Sequence, residues 1–319
     1  MSIKQLKVDL KLGQQPKLTW LPAPLRVFIL DKRGATGSLM LLFIVLVSLF
    51  APVLAPHDPY RRSGASHEAP SSEHLLGTTR MGKDVFSQLL YGGRTSLTVG
   101  FVASILSTLI AILIGVTSGY MGGKVDEALT FLTNVMLVIP GLPLIIVLAS
   151  FFDGGASPTV IGLVFAITGW AWMARVLRTQ TMTIRTKEFV TAAELMGESR
   201  LKIILVQIFP NMLSLTVGGF VLGTIYAILA EAGLEFIGIG DPSAVTWGTM
   251  LHWGESNQAL QMGAWWEIFP EAVAIMWTGA ALVMINFSVD QITNPALGAK
   301  KGINKINKFL NNRGIASYE

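Results

Sequence analysis

Cysteine is absent from the 319-residue sequence. Disulfides, iron–sulfur clusters and cysteine-ligated zinc are therefore excluded. Charge is scarce: Asp, Glu, Lys and Arg make up 14% of residues, against about 25% in soluble domains. So little charge excludes a disordered chain and a coiled coil, and it argues against a soluble enzyme. Long polar segments are missing too. The longest stretch between apolar runs, 231–271, has 41 residues, too few for a nucleotide-hydrolysing domain. The 4 histidines are His57, His67, His74 and His252. None shows the i, i+4 pairing of a zinc-protease helix. They are expected as exposed loop residues, able to share a metal only if two loops fold together. No Ser-His-Asp spacing and no carboxylate pair within an apolar run suggests catalysis.

Hydrophobic residues form 51% of the chain, and 32 residues are glycine. Mean hydropathy is +0.55. Six runs carry no charge: 34–57, 95–123, 128–152, 154–174, 203–230 and 272–289. A helix crossing a bilayer needs about 20 mostly apolar residues. Bare backbone cannot sit in lipid, so each run is expected to be helical. The runs lack the two-residue alternation of a membrane barrel. The pattern predicts an all-α polytopic membrane protein with six transmembrane helices, near 36–57, 95–120, 128–151, 155–175, 204–230 and 272–289. The first is not a cleaved signal peptide, because 33 polar and mixed residues precede it. Residues 25–32 suit a short interfacial helix, while Pro16, Pro22 and Pro24 break any helix upstream.

Six spans sort the hydrophilic segments onto two sides. One side holds residues 1–33, 124–127, 175–202 and the tail after Val289, with 19 basic and 9 acidic residues. The other holds 58–94, Asp153 and 231–271, with 5 basic and 11 acidic residues. The positive-inside rule places both termini in the cytoplasm. Basic residues flank spans and form no aromatic-interleaved patch, so nucleic acid is not an expected partner; membrane lipid is. Gly77–Lys83 carries the G-x-x-x-x-G-K skeleton of a phosphate loop. Asp84 stands where Ser or Thr would hold magnesium, and no strand is expected before it.

The charge-free runs argue against a proton relay at mid-membrane; Glu231 and Asp290, just past span ends, are the nearest candidates. The chain thus reads as a pathway without its own energy source or receptor. A secondary transporter is the rival of a different class, weakened by the small number of spans. The segment 176–203 suggests a partner contact. The fourth helix is expected to continue through Arg175, Arg178 and Arg185. A short amphipathic helix follows, with Phe189, Ala193 and Met196 on one face and Gly197 ending or bending it. Such a helix suits a partner's groove; an ordinary interfacial loop is the alternative.

Other positions keep two readings each. Pro140 and Pro143 either kink and gate the third span or only shape packing. Gly115, Gly119 and Gly123, and Gly219 with Gly223, allow close helix approach within the chain or to a partner. Segment 231–271 holds Trp247, Trp253, Trp265 and Trp266 with six carboxylates. These form an interfacial belt or receive a substrate or binding protein, with Glu231, Glu235 and Trp247 as candidates. Glu235 would then sense a cationic substrate.

Several motifs resemble one family. Ala192-Ala193, Gly197 and Pro210 resemble the E-A-A-x-x-x-G…L-P segment of permease subunits of binding-protein-dependent ABC importers. Thr191 stands in place of Glu, Phe209 in place of Leu, and Gln207 where relatives often have His. Residues 75–97, Val138–Pro143, Phe236–Gly240, Trp247–Leu251 and Trp265-Trp266…Pro270 are similar to the "C"-type dipeptide, oligopeptide and nickel permeases. The resemblance implies the importer-type ABC permease fold in a prokaryotic plasma membrane. It also implies a second homologous permease, two ATPase subunits and an extracytoplasmic solute-binding protein as partners. ATP and magnesium would be bound by the ATPases; this chain would have no catalytic residue, cofactor or metal of its own. Phe189, Ala192, Ala193, Met196 and Gly197 would form the ATPase-coupling contact. Peptides or similar small solutes are the expected cargo, with oligosaccharides or nickel chelates as alternatives. The expected organisation is a tail 1–33, a permease domain 34–297 and a basic tail 298–319.

Overall fold

The computed structural model describes residues 31–152 and 155–293. Both expected tails beyond these limits, the helix expected over 25–32 and Asp153 lie outside the described residues, apart from residues 31–33 of the first tail. Among the described residues there is no strand, only two isolated bridges, Thr78 with Asp84 and Ala156 with Gly240. The helices are α1 (Lys32–Leu49), α2 (Ala51–Leu54), α3 (Val85–Met121), α4 (Gly123–Val138), α5 (Gly141–Ala149), α6 (Pro158–Thr168) and α7 (Ala171–Arg185). They continue with α8 (Glu188–Leu195), α9 (Arg200–Lys202), α10 (Leu213–Phe236), α11 (Trp247–Ser256) and α12 (Phe269–Thr293).

Among the described residues, five helical stretches are long and apolar enough to cross a membrane: Lys32–Leu49, Val85–Met121, Pro158–Arg185, Arg200–Phe236 and Phe269–Asp290. The α4–α5 pair makes a sixth if counted as one span, but it is bent by 83°. The bend falls at Pro140, where the sequence left a kink as one of two readings. Pro140 has no amide hydrogen to donate and forces extended backbone on its predecessor. Ile139 has ψ 125° and Pro140 ψ 119°, so the helix stops and restarts in a new direction.

Span limits also shift, because a charge-free run is only the minimum length of a helix. The first span ends at Leu49, with α2 as a separate turn. Helix α3 starts ten residues before the run, where the Asp84 carboxylate accepts the Ser87 amide at 2.8 Å and caps it. The fifth stretch continues to Phe236, past Glu231 and Glu235. Both carboxylates are buried inside the bundle, as is Glu271 in α12. Ionisable groups do lie within the spanning helices, contrary to the expectation from charge-free runs. They are placed there by helix continuity, and two of them by hydroxyl partners. The entry to the fifth stretch is irregular: a π turn over Ile203–Ile208 is followed by a 3-10 turn over Phe209–Met212. Pro210 lacks the donor that a regular turn would use.

Glycines bring the helices together. A Cβ on Gly115 would collide with the Ala174 carbonyl, and one on Gly119 would lie 2.6 Å from the Arg178 carbonyl. These two glycines thus seat α3 on α7 within the chain. Gly123 faces open space. The α8 end of the bundle has its own core of Leu177, Ile184, Val190, Ala193, Ile203 and Met212, among others. The opposite end packs around Trp247 and Trp266.

A candidate translocation cavity and a docking surface

Midway along the bundle, α3, the α4–α5 break, α6, α7 and α10 line an open-sided cavity of about 450 Å³. Helix α3 contributes Ser104, Ser107 and Thr108; the break contributes Ile139, Gly141 and Ile145. Phe165, Thr168, Trp172 and Met173 line the next wall, and Gly219, Leu222, Gly223 and Tyr226 the last. No lining residue is charged. The Phe165 and Tyr226 rings lie 5.5 Å apart. Ser104 donates to the Phe220 carbonyl at 2.8 Å, and Thr168 donates to Val164 at 2.9 Å. Gly219 exists because Met173 fills the space a Cβ would need, and Gly223 because Ser104 approaches it. The break therefore sets one wall of the cavity, with the first turn of α5 at its edge. Broken helices beside a mid-membrane site expose backbone only where it faces protein or a cavity. Such a chamber offers hydroxyl and aromatic contacts and no fixed charge.

The substrate-side candidates from the sequence lie elsewhere. Glu231 accepts the Ser96 hydroxyl at 3.1 Å, and Glu235 accepts that of Thr246. Thr246 caps α11 in a reciprocal box with Thr249. Trp247 is fully buried, with its indole N–H on the Leu89 carbonyl at 3.1 Å. None of the three lines the cavity or presents its side chain to a partner. The expectation of a substrate-facing or belt role for Trp247 is corrected: the helix cap drives its ring into the core. Glu235 likewise is buried, and its contact with Thr246 holds α11 against α10. The cavity residues Ser107, Thr108, Thr168 and Tyr226 have no signature in the sequence, because isolated hydroxyls in apolar runs carry no periodic signal.

At one end of the bundle, α8 projects beyond α7. Val190 and Ala193 are buried against Ile203 and Met212. Phe189 is half exposed, Ala192 is exposed, and Leu195 and Met196 are 84% and 74% exposed. This overturns the expected face of Phe189, Ala193 and Met196. Ala193 points inward, while Leu195 and Leu201 join the exposed apolar surface. Tertiary contact with the π turn chose which side of the short helix to bury. Gly197 adopts φ +77°. Its amide donates to Glu194 at 3.0 Å, and that of Glu198 donates to Ala193 at 3.1 Å, the paired bonds of a Schellman end. Beside α8, Tyr120 donates to Glu194 at 3.2 Å, and the Arg185 guanidinium sits 5.5 Å from the Tyr120 ring. Arg178 grips Asp126 through two bonds of 2.6 Å, tying α7 to α4 next to this surface.

At the far end, the histidines depart from the exposed state expected of them. His74 is buried, and His57 and His67 are largely covered. Segment 55–84 folds back on itself and on Trp266, whose indole donates to Thr78 at 3.1 Å. His67 Nδ1 lies 2.5 Å from Glu267 Oε1. Burial pushes the Glu267 carboxyl above its ordinary range, and the His67 contact partly offsets this.

Residues 111–294 match the family model described as the binding-protein-dependent transport system inner membrane component. Residues 25–70 match the N-terminal transmembrane domain of oligopeptide transport permease C. The chain is 30% identical over 286 residues to the dipeptide transport system permease protein DppC of Bacillus subtilis, covering 89% of this chain and 88% of that one. It is 32% identical over 281 residues to the oligopeptide transport system permease protein OppC of Mycobacterium tuberculosis, covering 86% and 94%. It is 30% identical over 297 residues to the di/tripeptide transport system permease protein DppC of Pseudomonas aeruginosa, covering 89% and 96%. A helical bundle with a broken third span, a mid-bundle chamber and this breadth of match lead to one assignment: the chain belongs to the binding-protein-dependent ABC importer permeases, among the C-type subunits related to the dipeptide and oligopeptide permeases.

Proposed function

We propose that this chain forms half of the pathway of an ATP-driven importer for peptides, paired with a second homologous permease. An extracytoplasmic solute-binding protein delivers cargo, and two ATPase subunits drive the cycle. The observation that carries the proposal is the uncharged, hydroxyl- and aromatic-lined chamber at the helix break. Peptides share a polar backbone and differ in side chains. Hydroxyls answer the first without selecting among the second, and aromatic walls tolerate varied apolar groups. The relatives' names, all peptide permeases, favour this cargo over oligosaccharides or nickel chelates.

The exposed Phe189, Ala192, Leu195 and Met196 surface docks on an ATPase groove. It moves as a unit with the turns that lead into α10, because Val190 and Ala193 anchor it against Ile203 and Met212. Pro140 and Pro143 set the break that opens and closes the chamber. ATP and magnesium stay with the ATPases, so this chain does no chemistry. The basic excess on the α8 side supports a cytoplasmic position for that side and both termini, in the plasma membrane of a prokaryotic cell. The test is to reconstitute the complex and replace Leu195 and Met196 by Glu. ATPase capture and peptide uptake should both fall while membrane insertion persists. Undiminished capture overturns the docking assignment. Retention of a sugar or a metal chelate by the cognate binding protein overturns the cargo.

A further inference from the structure

We propose that His57, His74 and Asp84 form a binding site for a divalent transition-metal ion of the zinc class, at the end of the bundle opposite α8. Their ligand atoms lie within 4.8 Å of one another. His74 Nδ1 is 2.9 Å from Asp84 Oδ1, and His57 Nδ1 is 3.8 Å from the same oxygen. The two imidazoles face each other with centroids 4.7 Å apart and planes tilted 34°. A tetrahedral zinc with bonds of about 2.0–2.2 Å needs ligand separations of about 3.3–3.5 Å. The observed distances to Asp84 fall on either side of that value.

The Asp84 carboxylate is braced from behind, as metal ligands are, and hydrogen bonds fix the backbone at both histidines. Asp84 Oδ2 accepts the Ser87 amide at 2.8 Å and the Ser87 hydroxyl at 2.6 Å, leaving Oδ1 toward the imidazoles. The His57 amide donates to the same Ser87 oxygen at 3.2 Å, and the His74 amide to the Ser71 hydroxyl at 3.1 Å. His57 Nδ1 is enclosed but has no hydrogen-bond partner. An orphaned ring nitrogen aimed at a carboxylate and a second imidazole is what a metal would satisfy. Asp84 and His74 are buried, while the His57 side chain is 26% exposed. That open edge leaves room for a water as fourth ligand. Two imidazoles and one carboxylate suit zinc, with nickel and copper as chemical neighbours. The ion would pin three pieces of chain at one point: the residues after α2, the 58–84 segment and the start of α3.

The test uses the full-length chain purified in detergent and stripped with chelator, then titrated with zinc alone. One zinc per chain is expected for the wild type. His57→Phe should weaken binding by more than about 100-fold, beyond the 10–100-fold typical of an outer-shell change. His252→Gln should leave it intact. His57→Cys should restore a site, and with cobalt(II) it should show a thiolate charge-transfer band. The wild-type chain has no cysteine, so that band can come only from position 57. Absence of stoichiometric zinc in the wild type, or equal affinity in His57→Phe, overturns the proposal. If His57→Phe does not fold, the cobalt spectrum of His57→Cys decides, and absence of the band is then the refuting result.

Discussion

Gly197 is the position where a single methyl group should separate docking from folding. Its φ of +77° lies in the left-handed region, which costs a non-glycine residue about 1–2 kcal/mol. A Cβ there would meet nothing within 4 Å in this chain, so packing adds no further cost. Helix α8 has eight residues and is too short to hold itself. The strain therefore falls on its last turn, which the two Schellman bonds close. A penalty of about 1–2 kcal/mol corresponds to a factor of about 5–30 in the population of the native turn. Affinity for the ATPase subunit should drop by that factor in Gly197→Ala. Asn tolerates the left-handed region better, so Gly197→Asn should lose less. Gly197→Trp adds bulk that only a docked partner would meet, and it should abolish substrate-stimulated ATP hydrolysis. The assays are a binding titration of the ATPase subunit and coupled hydrolysis in proteoliposomes, with thermal unfolding of the permease as a control. Equal affinity for Gly, Asn and Ala would refute the conformational argument. Normal coupled hydrolysis in Gly197→Trp would refute the docking role itself.

Three further outcomes are expected. Ser107→Trp places an indole in the chamber and should cut peptide uptake more than tenfold without changing ATPase capture; uptake assays with and without the binding protein check this. Trp247→Ala removes a fully buried indole and should cost about 3–5 kcal/mol. It should lower the unfolding temperature in detergent while leaving cargo preference alone. Glu267 carries a carboxyl raised by burial above 4.5. Its folded-state stabilisation is therefore complete below that pH and is lost as pH rises through the raised value. Protease nicking of segment 58–84 should increase across that window in the wild type and stay flat in Glu267→Gln.

The helices themselves were legible because the bilayer leaves the backbone no other solution. Runs such as 95–123 and 203–230 had to be helical, and the structure lengthens them without moving them. The short α8 was visible from its spacing and from Gly197, whose φ follows from its place after the last turn. Its inward face was not visible. Phe189, Ala193 and Met196 share a stripe, but the π turn at Ile203–Ile208 buries Val190 and Ala193 instead. The family motifs mark where the segment is, not which side it buries.

Sequence alone determined the all-helical class and the asymmetry of charge, and it marked Pro140 as a candidate kink. Each follows from local chemistry: apolar runs, Lys and Arg counts, and a residue without an amide hydrogen. Only the tertiary structure decided the 83° angle of that break, the chamber it borders, and the burial of Glu231, Glu235 and Trp247. It alone brought His57, His74 and Asp84 within reach of one ion. These depend on which distant residues meet, such as Ser96 with Glu231 across 135 positions. Such meetings are set by the packing of whole helices, which no local pattern records.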